Sequence, residues 1–525
     1  MILPNLIWIL LDRGMWVSDT ALYGLSAVKL HHVLIHDPAN WLQGALSVGP
    51  KPPVLAWVGQ FFVPIGKSIG NIDSGLLLVN FLSQGLALAF LFGALIEYCS
   101  DRLFAITGCA AVASAPLFID VSTQLYVQPV QLAAVCWFIY IMALSRRWDA
   151  LTVVLQLIAA TSLAMLSSIS SMAFGVVPGA VALAQALSKV PRRLRLERRH
   201  GIHFALSAAL AIATAAWYRR NMFDALEYGR FSVDYVWAGL LGADYLQKLL
   251  AWTLLLLYGF LIALAVSCLL LLGIMVLRSR SSAATGRLFL LPLLVSVFQI
   301  GLALAIISST SLQVQRYPLP LLGYLALIVG VSLMKINKRW LTRTVLAIFV
   351  AQLVLANLSS YGYLEQRLWA SRTLQTRPGR NLELVEAISQ IATGEREKSV
   401  GLATSGLGIY SFQVSYHLSK KNGALAAASP EYTSVEFLLT RPDVSADVDA
   451  AWEEIEAEKP VYMVLLNDAL RHSQREKWAV SSRGWRAIMR GAVDISERVI
   501  DSADYEPVEL SSYPELAVYR RAGTR

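Results

Sequence analysis

A carboxylate, a tyrosine and a lysine stand near the start of a chain that elsewhere avoids charge. Asp19 and Tyr23 follow an apolar run, and Lys51 stands directly before Pro52 and Pro53. Charged groups beside membrane-grade apolar runs are costly unless they serve a function. A carboxylate at a membrane surface can take the proton of an attacking hydroxyl group. A compact cation on a backbone fixed by prolines can bind a phosphate. These residues predict group transfer to a hydroxyl group.

Asp19 and Lys51 each have a plainer structural interpretation as well. A carboxylate just past a helix end often caps a helix or lies in a solvated loop, and a lysine beside an apolar run often anchors that run at the membrane surface. The stereochemical outcome depends on how many carboxylates act. One base with a phosphate leaving group favours a single in-line displacement with inversion, whereas a second carboxylate acting as nucleophile favours retention.

A second polar segment, residues 125–129, opens a later apolar run with the letters Leu-Tyr-Val-Gln-Pro. The amide of Gln128 cannot act as a base and is a poor ligand for a divalent cation. Asp120 is the only carboxylate close by in the sequence. It could serve as the base in place of Asp19, or it could be an ordinary residue at a helix end.

A third polar segment, residues 315–320, contains Arg316 and Tyr317 at the start of another apolar run. An arginine at a helix N-terminus opposes the helix dipole, so Arg316 is not placed there for helix stability. It suits bidentate contact with a lipid phosphate, assisted by the free N–H groups of the helix start. The alternative is an arginine–tyrosine pair in the interfacial belt of the membrane.

Taken in order, these segments resemble the GT-C glycosyltransferases that use a polyprenyl-phosphate sugar as donor. That group includes the protein O-mannosyltransferases and the lipid A aminoarabinose transferases. Its first outer loop has the form Asp-Glu-x-x-Tyr followed by Lys-Pro-Pro, which here is Asp19 to Tyr23 and Lys51 to Pro53, with Thr20 in the place of the glutamate. A later helix of the family starts with Arg-Tyr-x-x-Pro, which is similar to residues 316–320. The resemblance covers roughly residues 1–335.

The resemblance implies a role for each of these residues. It makes Asp19 the catalytic base, with Asp120 as the second candidate. It places the donor phosphate near Lys51, Arg316 and Tyr23. Further substrate contacts would come from Gln128, Arg219, Arg220 and Tyr317. No metal-ligand set is predicted, although the family allows a divalent cation as cofactor.

Three departures from the family pattern leave other functions open. Thr20 removes one carboxyl group, and Gln128 stands where relatives often have an aspartate. Relatives also tend to have a lysine near Ser168, whereas this chain has no cation there, so Arg219 and Arg220 would have to supply the positive charge. A noncatalytic assembly protein of the same fold is therefore one alternative. A transporter or flippase for a lipid-linked substrate is another, but it predicts charges along an intramembrane path, whereas here the charges gather at one outer face.

The composition is that of a membrane protein. The chain has 525 residues, of which 56% are hydrophobic and only 15% charged, against about a quarter charged in soluble domains. Its net charge of +9 comes from short basic clusters between apolar runs, which indicate topology rather than nucleic-acid binding. The four cysteines predict neither a disulfide framework nor a metal site.

Apolar runs long enough to span a membrane predict about eleven transmembrane helices. The first is partial, because only residues 1–11 are apolar before Asp12. Three explanations are open: a shortened transmembrane helix, a start codon placed too late, or a segment that lies in the membrane interface. The others lie near residues 75–96, 103–122, 127–144, 151–169, 171–188, 204–217, 248–277, 288–308, 316–334 and 343–359.

Basic clusters set the predicted orientation of these helices. The clusters lie at residues 146–147, 189–199, 278–287 and 335–343, and an even number of predicted helices separates each from the next. All four can therefore face the cytoplasm. Loops 12–74 and 218–247 and everything after residue 360 then lie outside. Within the first loop, residues 21–37 predict an amphipathic helix in the interface, whose histidines His31, His32 and His36 fit that helix better than a metal site.

After residue 360 charged residues become common and no apolar run remains. Residues 399–404, 461–466 and 515–520 read as strands, and residues 411–420 and 450–458 as helices. The sequence thus predicts a polytopic α-helical GT-C protein (residues 1–360) with a C-terminal extracytoplasmic α/β domain (residues 361–525). The predicted activity is inverting transfer of a sugar from a polyprenyl-phosphate donor to a lipid, glycan or protein acceptor. It would occur on the outer face of the plasma (inner) membrane, without nucleic acid.

Overall fold

A computed structural model gives the fold of most of the chain. It describes residues 1–14, 16, 18–48, 51–188, 198–240, 245–278, 287–308, 316–364, 374–377, 379–391, 399–404, 407, 409–422, 431–439, 447–478, 485–508 and 513–523. Within these ranges, some side chains of the long helices between residues 198 and 289 fall outside the description. Also outside the description are residues 49–50 before Lys51, Gln315 of the third polar segment, and residues 189–197 and 279–286 of two basic clusters.

The described residues form mainly α-helices. They are α1 (Leu3–Leu11), α2 (Ser18–His36), α3 (Trp41–Leu46), α4 (Val54–Gly59), α5 (Val63–Ser68), α6 (Ile72–Cys99), α7 (Arg102–Ala113), α8 (Pro116–Ser122), α9 (Gln128–Leu144), α10 (Ala150–Ser167), α11 (Val176–Leu187), α12 (Arg198–Leu240), α13 (Tyr245–Arg278), α14 (Arg287–Ser308), α15 (Leu322–Ile336), α16 (Arg339–Ser360), α17 (Arg380–Ile391), α18 (Ser411–Asn422), α19 (Val435–Leu438), α20 (Val448–Glu458), α21 (Asp468–Trp478) and α22 (Trp485–Asp501). Short 3-10 turns cover Pro38–Asn40, Ile169–Phe174 and Leu319–Leu321. The strands are β1 (Ser399–Ala403), β2 (Glu431–Ser434), β3 (Tyr462–Leu466), β4 (Tyr505–Val508) and β5 (Leu516–Arg521).

The chain divides into two compact units. The first unit comprises Met1–Leu11 and Ala39–Leu374, and the second comprises Asp12–Pro38 and Gln375–Arg525. The segment that carries Asp19 and Tyr23 therefore folds with the C-terminal residues, although the sequence analysis placed it in an outer loop of the membrane part. The extracytoplasmic position of residues 361–525 stays a prediction.

The first unit is a bundle of apolar helices. Six of its described helices are long and apolar enough to cross a membrane: Ile72–Cys99, Ala150–Ser167, His200–Asn221, Leu290–Ser308, Leu319–Ile336 and Arg339–Ser360. A seventh span is formed if α7 and α8, bent by 62° at their break, are taken together. The protein is a multi-pass membrane protein.

The predicted count of about eleven spans is not confirmed. Each of the ten apolar runs coincides largely with helical residues, but some of the described helices are shorter than a typical span. Gln128–Leu144 has 17 residues and Val176–Leu187 has 12, fewer than the roughly 20 residues that a bilayer requires. The apolar start is a helix of 9 residues.

Capping and proline positions explain where these helices begin and end. The side chain of Asp101 accepts the N–H of Leu103 at the start of α7, and Pro116 and Pro129 stand in the first turns of α8 and α9, where the missing N–H costs nothing. Asn337 has a left-handed backbone at the end of α15. The kink in α12 lies at Asn221, which has nonhelical dihedral angles. Residues 218–240, predicted as loop, are helical on both sides of it.

The second unit contains a five-stranded mixed sheet in the order β2-β1-β3-β5-β4. Strands β2, β1 and β3 are parallel, whereas β5 pairs antiparallel with β3 and β4. Side chains alternate across it: Val400, Leu402 and Val464 pack with α17 and α18. Ala403, Met463 and Leu465 pack with α19, α20 and α22.

This α/β layering confirms the predicted class of the C-terminal fold. The three predicted strands correspond to β1, β3 and β5, and the two predicted helices correspond to α18 and α20. Strands β2 and β4 were not predicted, because each has only 4 residues, which is at the lower limit of strand length. The same unit includes α2, which confirms the predicted helix near residues 21–37; its place in the membrane interface stays a prediction.

Candidate functional site

The second and third polar segments of the sequence meet in the first unit. The guanidinium carbon of Arg316 lies 4.2 Å from the ring centroid of Tyr126 and 5.9 Å from that of Tyr317. A guanidinium group over an aromatic face is attracted by the ring quadrupole. Arg316 is half-buried, so its charge is held at the start of the Leu319–Ile336 span rather than extended into solvent.

The turn that carries Tyr126 is fixed by side chains of α6. The Tyr126 hydroxyl donates to Oε1 of Gln124 at 2.7 Å, while Asn80 donates its side-chain N–H to the main-chain oxygen of Gln124 and, at 3.3 Å, to that of Val121. Asn80 is fully buried. This network fixes the platform on which Arg316 rests, because the Tyr126 hydroxyl group and the main-chain oxygen of Gln124 each have a defined partner.

Gln128 lies two residues beyond Tyr126, in the first turn of α9. Its side chain is 4% exposed, and its Oε1 has no hydrogen-bond partner among the described residues. A buried carbonyl oxygen without a donor costs free energy until a donor reaches it. Gln128 can therefore accept a hydrogen bond from a bound molecule, although it cannot take up a proton.

Asp120 lies at the same end of the bundle, near the end of α8. Its main-chain oxygen accepts hydrogen bonds from N and Oγ1 of Thr123 at 3.2 and 2.7 Å, and its side chain is half-buried. These contacts close the helix at Thr123 and turn the chain toward Tyr126. They show how the residue is placed but do not test its role as a base.

Lys51 lies in the turn between α3 and α4, directly before Pro52 and Pro53. Two tryptophans brace the helices on either side: the Trp41 Nε1–H donates to Oε1 of Gln60, and the Trp57 Nε1–H donates to the Ala45 oxygen, both at 2.8 Å. Lys51 is half-buried. These two hydrogen bonds join the helices on either side of Lys51 and therefore limit where its side chain can reach.

Arg219 and Arg220 are exposed and lie just before the kink of α12. On one side of them, the Tyr218 hydroxyl donates to the Met165 oxygen at 2.9 Å. On the other, Asn221 donates to the Leu46 oxygen at 2.9 Å. The two arginines therefore belong to a segment that is attached both to the end of α10, near Ser168, and to the helix before the Lys51 turn.

Asp19 and Tyr23 lie in the second unit, one helical turn apart in α2, and each is half-buried. Residues at this spacing share a helix face. Just before the helix, the Trp16 ring stacks on Tyr416 of α18 with centroids 5.3 Å apart and ring planes 12° apart. The side chain of Gln413 donates to the Trp16 oxygen at 3.0 Å. These contacts fix where α2 begins.

Two of the histidines of α2 lie close together. The rings of His32 and His36 lie 4.2 Å apart, but no group of three or more His, Cys, Asp or Glu side chains in the described ranges could hold a metal ion. A role for a divalent cation stays a prediction.

A separate polar network lies at the opposite end of α10 and serves to join helices. Asp149 caps α10 through the N–H of Thr152 at 2.9 Å and lies 3.2 Å from Nε2 of His200 in α12. Burial alone would raise the pKa of Asp149, but hydrogen bonds from Thr152 and His200 outweigh it and lower the pKa to about 2.

The predicted site residues thus fall into two groups. In the first unit, Arg316 and Tyr317 come together with the turn that carries Tyr126 and leads to Gln128. The same unit contains Lys51, Asp120 and the two arginines of α12, whereas Asp19 and Tyr23 lie in the second unit. Sequence analysis missed the platform residue Tyr126 and the aromatic partner Tyr416. Tyr126 stands within the polar segment that was identified, but no motif marks Tyr416.

Comparisons with known proteins found likeness in structure only. No protein-family model matches the chain, and no curated protein matches it. ArnT from Cupriavidus metallidurans bound to undecaprenyl phosphate has a TM-score of 0.56 and 13% identity, over 99% of this chain and 96% of that one. Its apo state has a TM-score of 0.55 at 13% identity, over 98% and 95%.

An oligosaccharyltransferase from Archaeoglobus fulgidus, in complex with Zn and sulfate, aligns with a TM-score of 0.48 and 12% identity over 99% of this chain and 72% of that one, which is too weak to establish a shared fold. The ArnT alignment is different, because it covers nearly the whole of both chains. The chain has the GT-C fold of ArnT, as the resemblance of its motifs predicts.

Proposed function

We propose that the protein is an inverting glycosyltransferase that moves a sugar from a polyprenyl-phosphate donor to a lipid, glycan or protein acceptor. The reaction takes place on the outer face of the plasma membrane. The second unit lies on the same, extracytoplasmic side. A sugar carried by a membrane lipid explains why the polar residues cluster at one end of a bundle of apolar helices. A water-soluble donor would not need such a placement.

In the proposed reaction, the acceptor hydroxyl oxygen attacks the anomeric carbon and the bond from that carbon to the phosphate oxygen breaks. Asp19 accepts the proton of the hydroxyl group. The polyprenyl phosphate leaves with the electron pair of the broken bond, and Lys51 and Arg316 stabilise its charge. Tyr23, on the same face of α2 as Asp19, donates a hydrogen bond to the phosphate.

The observation that carries the proposal is the position of Arg316. Its guanidinium group is stacked over Tyr126 at 4.2 Å and half-buried, in a chain whose fold matches a transferase crystallised with undecaprenyl phosphate. Guanidinium groups bind phosphate oxygens in pairs of hydrogen bonds. Stacking uses the face of the group, whereas phosphate oxygens bind in its plane, so the stacked position is compatible with a lipid phosphate as ligand.

The remaining contacts act on the sugar or the acceptor. The buried Oε1 of Gln128 accepts a hydrogen bond from a sugar hydroxyl group, which an aspartate at this position would also do. Arg219, Arg220 and Tyr317 contribute further contacts to the substrates. Asp120 is the second candidate for the base.

A noncatalytic protein of the same fold is the second candidate function. Gln128 favours it, because an amide has replaced the acidic group that relatives place before this proline. Thr20, which removes the second carboxyl group of the first motif, favours it as well. The transporter alternative has less support, because the sequence predicts charges gathered at one outer face and not along an intramembrane path.

The test uses the purified full-length chain in lipid, with a panel of radiolabelled polyprenyl-phosphate sugars and a crude envelope fraction as acceptor. Loss of sugar from the donor is followed for the native chain and for Asp19→Asn. We expect one donor to be consumed by the native chain only. Turnover that survives in Asp19→Asn would move the base to Asp120. Donor binding without turnover of any donor would favour the noncatalytic protein.

A further inference from the structure

The helix that carries Asp19 is held at two points by a single side chain of the C-terminal sequence, Tyr416 of α18. The first point precedes α2, where the Trp16 ring stacks on the Tyr416 ring. The second is Gly24, within α2: a methyl group there would lie 2.8 Å from two ring carbons of Tyr416 and 2.9 Å from a ring carbon of Trp16. Asp19 lies between these two points in the sequence.

Neither ring has room to move aside for such a group. Trp16 and Tyr416 are each only 3% exposed. On α18 itself, the ammonium group of Lys420 lies 4.7 Å from the Tyr416 ring centroid, and Gln413 bonds to the Trp16 oxygen at 3.0 Å. Close-packed rings transmit a displacement rather than absorb it. A change at Tyr416 would therefore shift or loosen the first turns of α2.

A second connection anchors the chain before Trp16. The buried carboxylate of Asp12 accepts the N–H of Gln375 at 3.1 Å, and the N–H of Arg13 donates to the Gln375 oxygen at 2.6 Å. The segment from Asp12 to Gly24 is thus attached to the C-terminal sequence at Gln375, Gln413 and Tyr416. Its conformation therefore depends on contacts with the far end of the chain, which offset the entropy cost of ordering it.

We infer that Tyr416 is a positioning residue that determines where the Asp19 carboxylate lies. The C-terminal domain would then contribute to catalysis and would not serve only to cover the substrate cavity. This inference rests on the proposed function. It explains how a base in a short segment can be held to the tolerance that catalysis requires, since a misplacement of about 1 Å can lower a rate roughly 100-fold.

The expected kinetic signature is a fall in kcat that is much larger than any change in the KM for the donor. Tyr416→Ala should lower kcat by about 10- to 100-fold, because the base loses its position. The donor KM should change much less, because Lys51 and Arg316 belong to the other unit and only the Tyr23 contact with the phosphate comes from α2. The pH dependence of kcat should stay the same, because Asp19 is still present. Gly24→Ala should act in the same direction, and Tyr416→Phe, which keeps the ring, should remain close to native.

Tyr505→Ala is the matched control. Tyr505 is a buried tyrosine of the same unit, 8% exposed, and its hydroxyl donates to the Pro460 oxygen at 3.2 Å in a separate core cluster. Removing its ring lowers the stability of the domain to a similar degree but leaves the contacts of α2 intact. Its kcat should therefore remain near native in folded protein.

The experiment measures kcat and donor KM for the full-length variants in lipid, with hydrogen exchange of residues 18–36 measured in the same samples. Faster exchange of these residues and a low kcat in Tyr416→Ala, but not in Tyr505→Ala, is the expected result. A native kcat in Tyr416→Ala, or an equal loss in the control, would overturn the inference while the transferase stands. If the native chain turned over no donor, the proposed function and this inference would both be overturned. Hydrogen exchange of residues 18–36 would still show whether α2 depends on its contact with α18.

Discussion

The two groups of candidate residues are held in place by different means. Arg316 rests on Tyr126 in a turn fixed by buried amide groups of a transmembrane helix. Asp19 lies in a helix whose start is fixed by the stacking of Trp16 on Tyr416 and by a hydrogen bond from Gln413, two residues near the other end of the chain. In the proposed reaction, the phosphate contacts of Lys51 and Arg316 therefore belong to the bundle of the first unit, whereas the base Asp19 and the phosphate contact of Tyr23 belong to the second unit.

This difference separates binding from chemistry in a way that kinetics can resolve. A substitution that acts only in the transition state lowers kcat, whereas one that removes binding of substrate and transition state alike raises KM. Changes around Asp19 should fall in the first class, and changes around Arg316 in the second.

The largest expected effect is that of Asp19→Asn. An amide cannot take the proton of the acceptor hydroxyl group, so kcat should fall by about 10²- to 10⁴-fold while donor affinity stays native. Steady-state turnover of the donor measures this. Asp120→Asn is the matched change at the other candidate base, and a larger loss there would reverse the assignment of the two carboxylates.

Replacement of Arg316 should have the next largest effect. Arg316→Ala removes a charged hydrogen-bond donor worth about 1.5–3 kcal/mol, which corresponds to a rise in donor KM of roughly 10- to 100-fold. Arg316→Lys should restore little, because an ammonium group neither stacks nor binds two oxygens at once. Arg147→Gln serves as control, since Arg147 is exposed and paired with Glu97 at 2.7 Å. An unchanged KM in Arg316→Ala would remove this residue from the donor site.

Loss of the platform under Arg316 should have a smaller effect. Tyr126→Leu removes a cation–π contact worth about 0.5–2 kcal/mol, so the donor KM should rise only a few-fold. Tyr126→Phe keeps the ring and loses the hydrogen bond to Gln124, and it should lie nearer to the native value. Equal effects of the two variants would mean that the hydroxyl group, not the ring, supports Arg316.

The smallest effect on turnover is expected at the opposite end of α10. Asp149→Asn should leave kcat and KM unchanged but lower the thermal stability at neutral pH. The pKa of Asp149 is lowered to about 2 in the folded protein, against about 3.9 in an unfolded chain. Its contribution is therefore present above about pH 4 and is lost as the pH falls toward 2. The difference in unfolding temperature between the two proteins should be constant near neutral pH and should narrow as the pH falls from about 4 toward 2; a difference that does not change with pH would contradict this account.

Sequence alone predicted the helical character of the first unit and the α/β character of the second, because both depend on local patterns. Every apolar run proved helical, and β1 and β3 lie within a residue or two of the predicted strands. The number of spans was not predictable in the same way. The 62° bend between α7 and α8 and the kink at Asn221 depend on packing against neighbouring helices, which hydropathy does not report.

The sequence predicted those candidate site residues that stand in motifs. It did not predict the contacts between segments that are distant in the sequence. Arg316, Gln128 and Asp19 were found from their types and from their place beside apolar runs. The contacts of Arg316 with Tyr126 and of Trp16 with Tyr416 each join positions that lie far apart in the sequence. One sequence contains no signal for such pairs, so the assignment of α2 to the C-terminal unit came only from the structure.

The most direct test of the central claim is to measure donor binding and single-turnover rate together in Asp19→Asn. The full-length chain in lipid is titrated with the polyprenyl-phosphate sugar that the native chain consumes, and the rate of sugar loss is followed after acceptor is added. The account predicts a native dissociation constant with a rate lowered by about 100-fold or more. A native rate, or a dissociation constant raised as much as in Arg316→Ala, would contradict a base on the second unit acting separately from phosphate contacts on the first.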